Sequence, residues 1–376
     1  MNTTTLLALP FALVLGACGP GRDKPIASTA SPASSPDTLA NATRLYDDAL
    51  NVIAARFLYA PADPQRVAQD ALNAYLTSRD PWSGRLTRDE YARYRAVNDG
   101  GFGGIDMELE RLHDGDTLCY PEPLGPAAKA GIRAGETLVS IDGSAVRGKP
   151  LALVAALATG REGTPVELVV AGADGARRPV RVVRAHIDHP DVTESGENGL
   201  HVLRIARFTT STRSLVAAAI KGWDAKEAVV IDLRGCGGGS FFAALDTAML
   251  FLKEGAPIVT VTERSAARAY ASTRTPDFGP RPIYIWQDAH TASAAEVLTG
   301  ALVDNGLAVS IGEPSAGKGT RQDVVELADG SALILTTGTM STPRGFAFDS
   351  RGLAPTRPLA HSSDTAAYAR ATPASQ

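Results

Sequence analysis

The sequence lacks the features that mark several large classes of protein. Its 37 Lys and Arg residues are balanced by 41 Asp and Glu residues, which gives a formal net charge of -4. Nucleic-acid-binding proteins usually carry a basic excess, so we expect no nucleic acid among its partners. The six histidines form no ligand cluster, and H-I-D-H at 186–189 favours a polar joint between domains over a metal site. We therefore expect neither a metal nor another cofactor.

Cysteine is equally scarce, with residues only at positions 18, 119 and 236. Cys119 and Cys236 fall in different predicted domains, so we predict two free thiols rather than a disulfide. Cys18 has a different setting, because it follows an apolar N-terminal stretch.

That stretch, MNTTTLLALPFALVLGACGPG, is too short to span a bilayer and ends in small residues,. It predicts a signal peptide over residues 1–17. L-G-A-C at 15–18 resembles the bacterial lipobox, which makes Cys18 a lipidated first residue; a plain secretory signal cut nearby is the alternative. Gly19 resembles the signal for outer-membrane sorting. We expect a lipid-anchored protein of the bacterial cell envelope that faces the periplasm.

The remaining chain divides into segments of different pattern. Residues 18–41 are rich in Pro, Ser and Ala without apolar periodicity, which predicts a flexible tether,. Residues 42–99 show apolar spacing near 3.6 and predict a small helical unit,. Short strands broken by Gly, Asp and Pro fill 100–187, strands and helices alternate over 188–360, and 361–376 predict a disordered tail. The alternation indicates an α/β layered core with largely parallel strand pairing.

Two residues in the alternating region suggest catalysis. Ser293 stands at a predicted helix start, and Lys318 follows it by 25 positions. A serine hydroxyl becomes a good nucleophile when a base takes its proton, and a lysine can be that base if burial lowers its pKa. The alternative for Ser293 is purely structural, since S-A-A-E at 293–296 is also a helix capping box,.

Lys318 has two alternatives of its own. G-E-P-S-A-G-K at 312–318 nearly completes a phosphate-binding loop, but Gly319 replaces the hydroxyl residue that would hold magnesium,. The residues that follow predict a hairpin turning at Asp329-Gly330 instead of a helix,. S-A-G-K also matches the S-x-x-K of β-lactamases, with Ser315 as nucleophile, but that motif requires one helical turn and further motifs that are missing here,.

Five segments resemble the carboxyl-terminal processing peptidases, which are PDZ-containing serine peptidases, in the order of that family. They are DPWSGRLTRDEY at 80–91, GPAAKAGIRAGETLVSIDG at 125–143, IDLRGCGGG at 231–239, TASAAE at 291–296 and GEPSAGKGTRQ at 312–322. The resemblance covers residues 42–360 and is specific through the joint match. It implies an α/β fold: a layered peptidase core similar to the crotonase and Clp protease folds, with an inserted PDZ domain and a small N-terminal helical unit.

The resemblance also implies roles for individual residues. Ser293 becomes the nucleophile, Lys318 the general base and Gln322 the residue that orients the lysine, while Gly238 and Ala294 supply the N–H groups of the oxyanion hole. The sequence departs from the family's pattern at four positions near this site, which carry Cys236, Ala295, Ser315 and Ala316. None of these departures removes a catalytic group.

In the PDZ region, the loop GFGGID at 101–106 is expected to hold a peptide carboxylate through Gly103, Gly104 and Ile105,. Asp106 replaces a usual glycine, and its carboxylate would repel that of a peptide unless it points to solvent. We expect a serine endopeptidase that cleaves proteins near their C-terminal tails, with an adaptor protein or a homo-oligomer as a further partner. The alternative is an envelope lipoprotein whose PDZ domain binds peptides without cutting them.

Overall fold

The computed structural model describes residues 36–59, 64–98, 103–112, 115–187, 190–197, 199–224, 227–359 and 364–373. The predicted signal peptide, Cys18 and the tether up to residue 35 lie outside the described residues. No helix in the described ranges is both long and apolar enough to cross a membrane.

The N-terminal region is mostly helical, as predicted, but it also contributes a strand. Its elements are α1 (Pro36–Arg56), α2 (Pro64–Thr77), β1 (Gly84–Leu86) and α3 (Arg88–Asn98). The helix α1 begins inside the segment that we predicted to be a tether. The strand β1 pairs antiparallel with a strand of the C-terminal region, so the two regions share one sheet.

The next region is the PDZ-like unit, formed by residues 103–112 and 115–187. Its elements are β2 (Met107–Arg111), β3 (Thr117–Pro121), α4 (Pro126–Lys129), β4 (Glu136–Ile141), β5 (Ser144–Ala145), α5 (Leu151–Ala158), β6 (Pro165–Ala171) and β7 (Arg177–Val183). The strands form an antiparallel sheet in the order β2-β3-β4-β6-β7, with β5 beside β4. The helix α5 buries the side chains of Leu151, Leu153 and Val154 completely.

The C-terminal region contains the alternating strands and helices. Its elements are β8 (Val192–Glu197), β9 (Leu200–Ile205), α6 (Thr212–Ile220), β10 (Val229–Asp232), α7 (Phe241–Ala248), β11 (Pro257–Glu263), β12 (Ala267–Ala271), β13 (Ile283–Gln287), α8 (Ala294–Asp304), β14 (Ala308–Gly312), β15 (Thr320–Glu326), β16 (Ala332–Ser341), β17 (Arg357–Pro358) and α9 (Thr365–Ala371).

These strands form two sheets rather than one. The first has the order β17-β14-β13-β10-β9-β8 and is parallel except for the β8–β9 pair. The second is antiparallel, has the order β1-β16-β11-β12 and includes β15 beside β16. The prediction of largely parallel pairing is therefore correct for the first sheet and wrong for β11. The hairpin of β15 and β16 turns at Asp329-Gly330, as predicted.

The helix α8 lies at the centre of this region, where it contacts both β11 of the antiparallel sheet and β14 of the parallel sheet. Every residue from Ala294 to Leu302 is buried. Small side chains allow this close approach: a methyl group at Gly300 would lie 2.9 Å from Cγ2 of Thr342. The main apolar core forms around this helix and includes residues of α6, α7, β10 and β11.

The predicted disordered tail is wrong for residues 364–373, which contain α9. Tyr368 of this helix is completely buried, and its hydroxyl donates to the carbonyl of Gln287 at 2.9 Å. Trp286 donates from its indole nitrogen to Thr372 at 2.9 Å. These contacts fasten the segment to β13. Cys119 and Cys236 are buried free cysteines, as predicted.

Candidate active site

Three loops meet at one edge of the parallel sheet, because β10, β13 and β14 are adjacent and parallel and their carboxyl ends point the same way,. The loop after β10 carries the glycine run, the loop after β13 leads to Ser293, and the loop after β14 carries Lys318. Backbone hydrogen bonds of 2.9 Å join them, from Ala292 N–H to the carbonyl of Cys236 and from Ala316 N–H to that of Thr291. The fold thus brings together the segments that carry Gly238, Ser293 and Lys318.

Ser293 stands at the turn from loop to helix in an unusual backbone conformation, with φ 56° and ψ -116°. A non-glycine residue held in such a region costs about 1–3 kcal/mol, and such conformations concentrate at functional sites. The residue keeps partial solvent exposure although the helix behind it is buried. The turn therefore presents the hydroxyl at the positive end of the α8 dipole, where a developing negative charge is stabilised.

Gly238 packs directly against this turn. A methyl group at its position would lie 2.8 Å from Cβ of Ser293 and 2.9 Å from the backbone nitrogen of Ala294. Its φ of 103° also favours glycine,. The backbones of Gly238 and Ala294, the two predicted contributors to the oxyanion hole, are therefore neighbours beside Ser293. Burial raises the pKa of the Cys236 thiol to about 12, and a hydrogen bond from the Gly238 N–H acts in the opposite direction.

Glu296 connects the turn at Ser293 to the loop that carries Lys318. Its carboxylate is fully buried and accepts from the backbone N–H groups of Ser293, Gly317 and Lys318, each at 2.8 Å. It also accepts from the hydroxyl of Ser315 at 2.6 Å. Since Ser293 and Lys318 donate to the same oxygen, their backbone nitrogens are no more than twice the 2.8 Å hydrogen-bond length apart.

The protonation state of Glu296 reflects this setting. Burial raises the pKa of its carboxyl to about 7, and the hydrogen bonds from Ser315, Ser293, Gly317 and Lys318 act in the opposite direction. The sequence predicts only a capping-box role for Glu296 and does not predict its contacts with the lysine loop. The S-x-x-E spacing was the available signal, but sequence alone did not reveal the second set of donors.

The amine end of Lys318 lies inside the protein, although the residue as a whole retains some exposure. Burial lowers the pKa of Lys318 to about 8, against the attraction of Glu296, Asp349 and Asp80. The flanking glycines permit close packing: a methyl group at Gly317 would lie 2.6 Å from the backbone nitrogen of Gly352, and one at Gly319 would lie 2.5 Å from that of Asp349. A substantial fraction of Lys318 is therefore neutral near pH 8.

Gln322 lies on β15, close to the lysine loop. Its amide nitrogen donates to the hydroxyls of Thr320 at 3.0 Å and Thr336 at 3.1 Å. Thr336 donates in turn to Asp80 at 3.0 Å. The amide is thus held by its nitrogen, within a network that includes one of the carboxylates acting on Lys318.

The two alternatives for the lysine loop do not fit this geometry. Lys318 precedes a strand rather than a helix, so the phosphate-binding loop lacks the helix N-terminus on which it depends,. Ser315 is 6% exposed, donates to Glu296 and accepts from the N–H of Leu353 at 2.7 Å. Ser315 and Lys318 lie in a loop and do not share a helical turn. Ala295 and Ala316, two of the residues at which the sequence departs from the family's pattern, are also buried.

The PDZ-like unit differs from the prediction at its loop. The N–H groups of Gly103 and Gly104 donate to the carbonyls of Gly160 at 2.7 Å and Ala185 at 2.9 Å. They close the unit onto itself and are not directed at a peptide carboxylate. Ile105 buries its side chain in the apolar core. The structure therefore contradicts the assignment of Gly103 and Gly104 as N–H donors to a peptide.

Asp106, which follows this loop, is partly buried and has a φ of 57°. A methyl group at Gly125 would lie 2.7 Å from its Oδ2, so the carboxylate lies against the turn before α4.

Within the described residues, no three His, Cys, Asp or Glu side chains form a group able to hold a metal ion.

Comparisons with known proteins agree with this arrangement. Residues 199–359 match Peptidase family S41, and residues 118–172 match a PDZ domain. The carboxy-terminal-processing protease of Bartonella bacilliformis is 30% identical over 319 residues, covering 82% of this chain and 73% of that protein. The chloroplastic C-terminal processing peptidase of Tetradesmus obliquus is 29% identical, covering 78% of this chain and 68% of that protein.

A solved structure, the photosystem II D1 C-terminal processing protease, superposes with a TM-score of 0.66 at 28% identity. The match covers 87% of this chain and 94% of that chain. The fold is therefore a mixed α/β peptidase domain combined with a PDZ domain, as the sequence predicted. The chain belongs to Peptidase family S41, among the carboxy-terminal-processing serine proteases.

Proposed function

We propose that Ser293 and Lys318 form the catalytic dyad and that the protein cleaves other proteins near their C-terminal tails. The observation that carries the dyad is the shared contact with Glu296, which fixes the two backbones side by side while the lysine amine is buried. The alternative, peptide binding without cleavage, has no feature in its favour at this site.

The reaction follows from the positions of these groups. Neutral Lys318 takes the proton of the Ser293 hydroxyl while Oγ attacks the carbonyl carbon of the substrate. The oxyanion accepts hydrogen bonds from the N–H groups of Ala294 and Gly238. The lysine ammonium then gives its proton to the leaving amine, and the C–N bond breaks to leave an ester on Ser293. Water, deprotonated by Lys318, hydrolyses that ester and restores the free serine.

Gln322 has a supporting role in this proposal. Because its amide nitrogen is engaged by Thr320 and Thr336, its oxygen is the end able to accept from the lysine amine,. An acceptor suits both protonation states of the lysine, since each carries N–H donors.

The substrate class rests on the relatives and on the PDZ domain. The similar proteins carry names that describe C-terminal processing. In the described part of the PDZ domain, β2 is an edge strand that pairs with β3 on one side. PDZ domains bind an extended peptide as an added strand, so this edge can take a protein tail.

A fluorophosphonate probe tests the dyad, because it acylates an activated serine. Peptide mapping should find the label on Ser293, and Ser293→Ala and Lys318→Ala should each abolish labelling and proteolysis. Gln322→Ala should reduce the rate less. Ser214→Ala, on the exposed face of α6, is the matched control and should behave as wild type. Label on Ser315, or full activity in Ser293→Ala, contradicts the proposal.

We also propose that Cys18 carries a lipid that anchors the protein in the bacterial envelope, facing the periplasm. The proposal is supported by L-G-A-C at 15–18 and by the Pro/Ser/Ala-rich sequence after it. Cys18→Ser should abolish incorporation of labelled palmitate and move the protein out of the membrane fraction or leave it unprocessed. Cys119→Ser is the control and should keep both properties. Palmitate incorporation that survives Cys18→Ser contradicts the anchor.

A further inference from the structure

Trp82 lies over the catalytic lysine, although it comes from the N-terminal region. The Nζ atom of Lys318 is 4.4 Å from the centroid of the Trp82 ring. A cation within about 6 Å of an aromatic face is attracted by the electron density of the ring. Trp82 precedes β1 in the segment DPWS, which carries part of the family resemblance but to which the sequence assigns no role.

The Trp82 backbone is held by a compact polar network. The N–H groups of Trp82 and Ser83 donate to the carboxylate of Asp80 at 2.8 and 2.9 Å. Ser83 donates from its hydroxyl to Asp80 at 2.7 Å and accepts from the N–H of Thr336 at 2.9 Å. Thr336 is the residue that also accepts from Gln322. The network therefore joins the segment that carries Trp82 to the strands beside the lysine.

Apolar packing supports the same placement. Trp82 packs against the apolar core of the PDZ domain, and Leu86 of β1 is fully buried in that core. The antiparallel pairing of β1 with β16 fixes the segment from the other side. The indole is thus held between the PDZ core and the catalytic lysine.

The ring has two effects on Lys318. It occupies space that water would otherwise fill, which disfavours the ammonium form, and its face attracts the ammonium once that form appears. The charged groups that act on the amine are the carboxylates of Glu296, Asp349 and Asp80, and all three favour the ammonium. Burial has the largest effect on the pKa of the amine and opposes these carboxylates. The residues that cover the amine therefore help to keep the lysine neutral.

We propose that Trp82 is a positioning residue that covers the Lys318 amine, keeps water from it and then stabilises the ammonium that forms when Ser293 is deprotonated. This inference rests on the proposed dyad. It assigns to the N-terminal segment a part in the chemistry of the peptidase domain.

The test is the pH dependence of kcat/KM for a soluble peptide in full-length protein. In wild type the acid limb should lie near pH 8, the value to which burial lowers the pKa of Lys318. Trp82→Ala admits water, so its limb should move alkaline by about one pH unit or more, toward the ordinary lysine value. Trp82→Phe keeps a ring over the amine and should keep the limb close to wild type. Trp223→Ala, which removes a tryptophan elsewhere, is the control.

A merely structural role for Trp82 would lower the plateau of kcat/KM without moving the limb, and that result in Trp82→Ala overturns the proposal. If Trp82→Ala does not fold, Trp82→Leu decides instead. Leucine still keeps water from the amine but lacks the ring face that attracts the ammonium, so the limb of Trp82→Leu should move to lower pH by about half a pH unit or more. A Trp82→Leu limb at the wild-type pH overturns the proposal, whatever the height of its plateau. Ser293→Ala and Lys318→Ala are measured alongside, because activity in either would refute the dyad itself and not only the role of Trp82.

Discussion

At the scale of single residues, Glu296 joins the backbones of Ser293 and Lys318, the proposed nucleophile and base. Its carboxylate accepts from four groups that belong to two different loops. In Glu296→Gln, the amide NH2 replaces one acceptor oxygen and faces N–H donors. A buried donor without a partner costs about 1–3 kcal/mol, so we expect kcat to fall by about tenfold or more.

The measurement for Glu296→Gln is steady-state kinetics, with the thermal midpoint recorded to show that the fold persists. Glu326→Gln is the control, since Glu326 is exposed on β15. Wild-type kcat in Glu296→Gln would show that its hydrogen bonds do not position the dyad.

The pH profile is a second prediction at this scale. The pKa of Lys318 is lowered to about 8, and the base acts in its neutral form. Activity should therefore rise with pH through about 8 and stay high on the alkaline side,. Because the pKa of Glu296 is raised to about 7, protonation of this carboxylate should lower the activity further at acid pH. An acid limb near pH ~6.5 that disappears when a histidine is replaced would contradict a lysine base.

At the scale of elements, α9 supports the sheet edge at which the active-site loops begin. The ring centroids of Tyr368 and Trp286 lie 5.7 Å apart. The guanidinium carbon of Arg234 lies 4.5 Å from the ring centroid of Tyr368. Arg234 belongs to the loop that continues into the glycine run. Tyr368→Ala should destabilise the protein by about 3–5 kcal/mol, as is typical of buried aromatic truncations. Urea denaturation measures this change.

Tyr75→Ala provides the comparison for Tyr368→Ala, since Tyr75 is 57% exposed on α2. Its midpoint should stay close to wild type. We also expect lower activity in Tyr368→Ala, because Arg234 loses its aromatic contact. An unchanged denaturation midpoint would show that α9 adds nothing to the stability of the domain.

The elements also show what sequence could predict. Apolar spacing predicted the helices of the N-terminal region, and the DG turn located the β15–β16 hairpin, because local patterns determine them. The helix α9 was missed because its AAYARA segment has one aromatic residue and no apolar stripe, so its order depends on contacts with Trp286 and Gln287. The strand β1 was missed for a similar reason, since it is formed by pairing with β16. The motif order placed Ser293 and Lys318 in one site, but the position of Trp82 over the amine required the folded chain.

At the scale of the whole molecule, charge links the PDZ domain to the peptidase domain. Glu108 of β2 lies near Glu122 and Asp106 of its own domain and near Asp288 and Arg204 of the peptidase domain. Burial, followed by the carboxylates of Glu122 and Asp288, raises its pKa to about 7, while Arg204 acts in the opposite direction.

Asp288 connects this cluster to the active site. Its carboxylate accepts from the N–H of Gly235, in the loop that continues to Gly238. The charge of Glu108 therefore acts close to the loop that carries Gly238, a residue of the proposed oxyanion hole. Because the neutral carboxyl is favoured in the folded protein, the stability that it contributes is complete below its ordinary pKa, near 4.5, and is lost as pH rises through about 7,.

Glu108→Gln tests this link, because glutamine imitates the neutral carboxyl at every pH. The thermal midpoints of wild type and Glu108→Gln should be similar at pH ~4, below the ordinary carboxyl pKa, and at pH ~8 the variant should be the more stable protein. Glu167→Gln, on the exposed side of β6, should follow wild type at both pH values. If the difference between wild type and Glu108→Gln is the same at both pH values, Glu108 does not ionise against its neighbours, and the two domains are not coupled through this cluster.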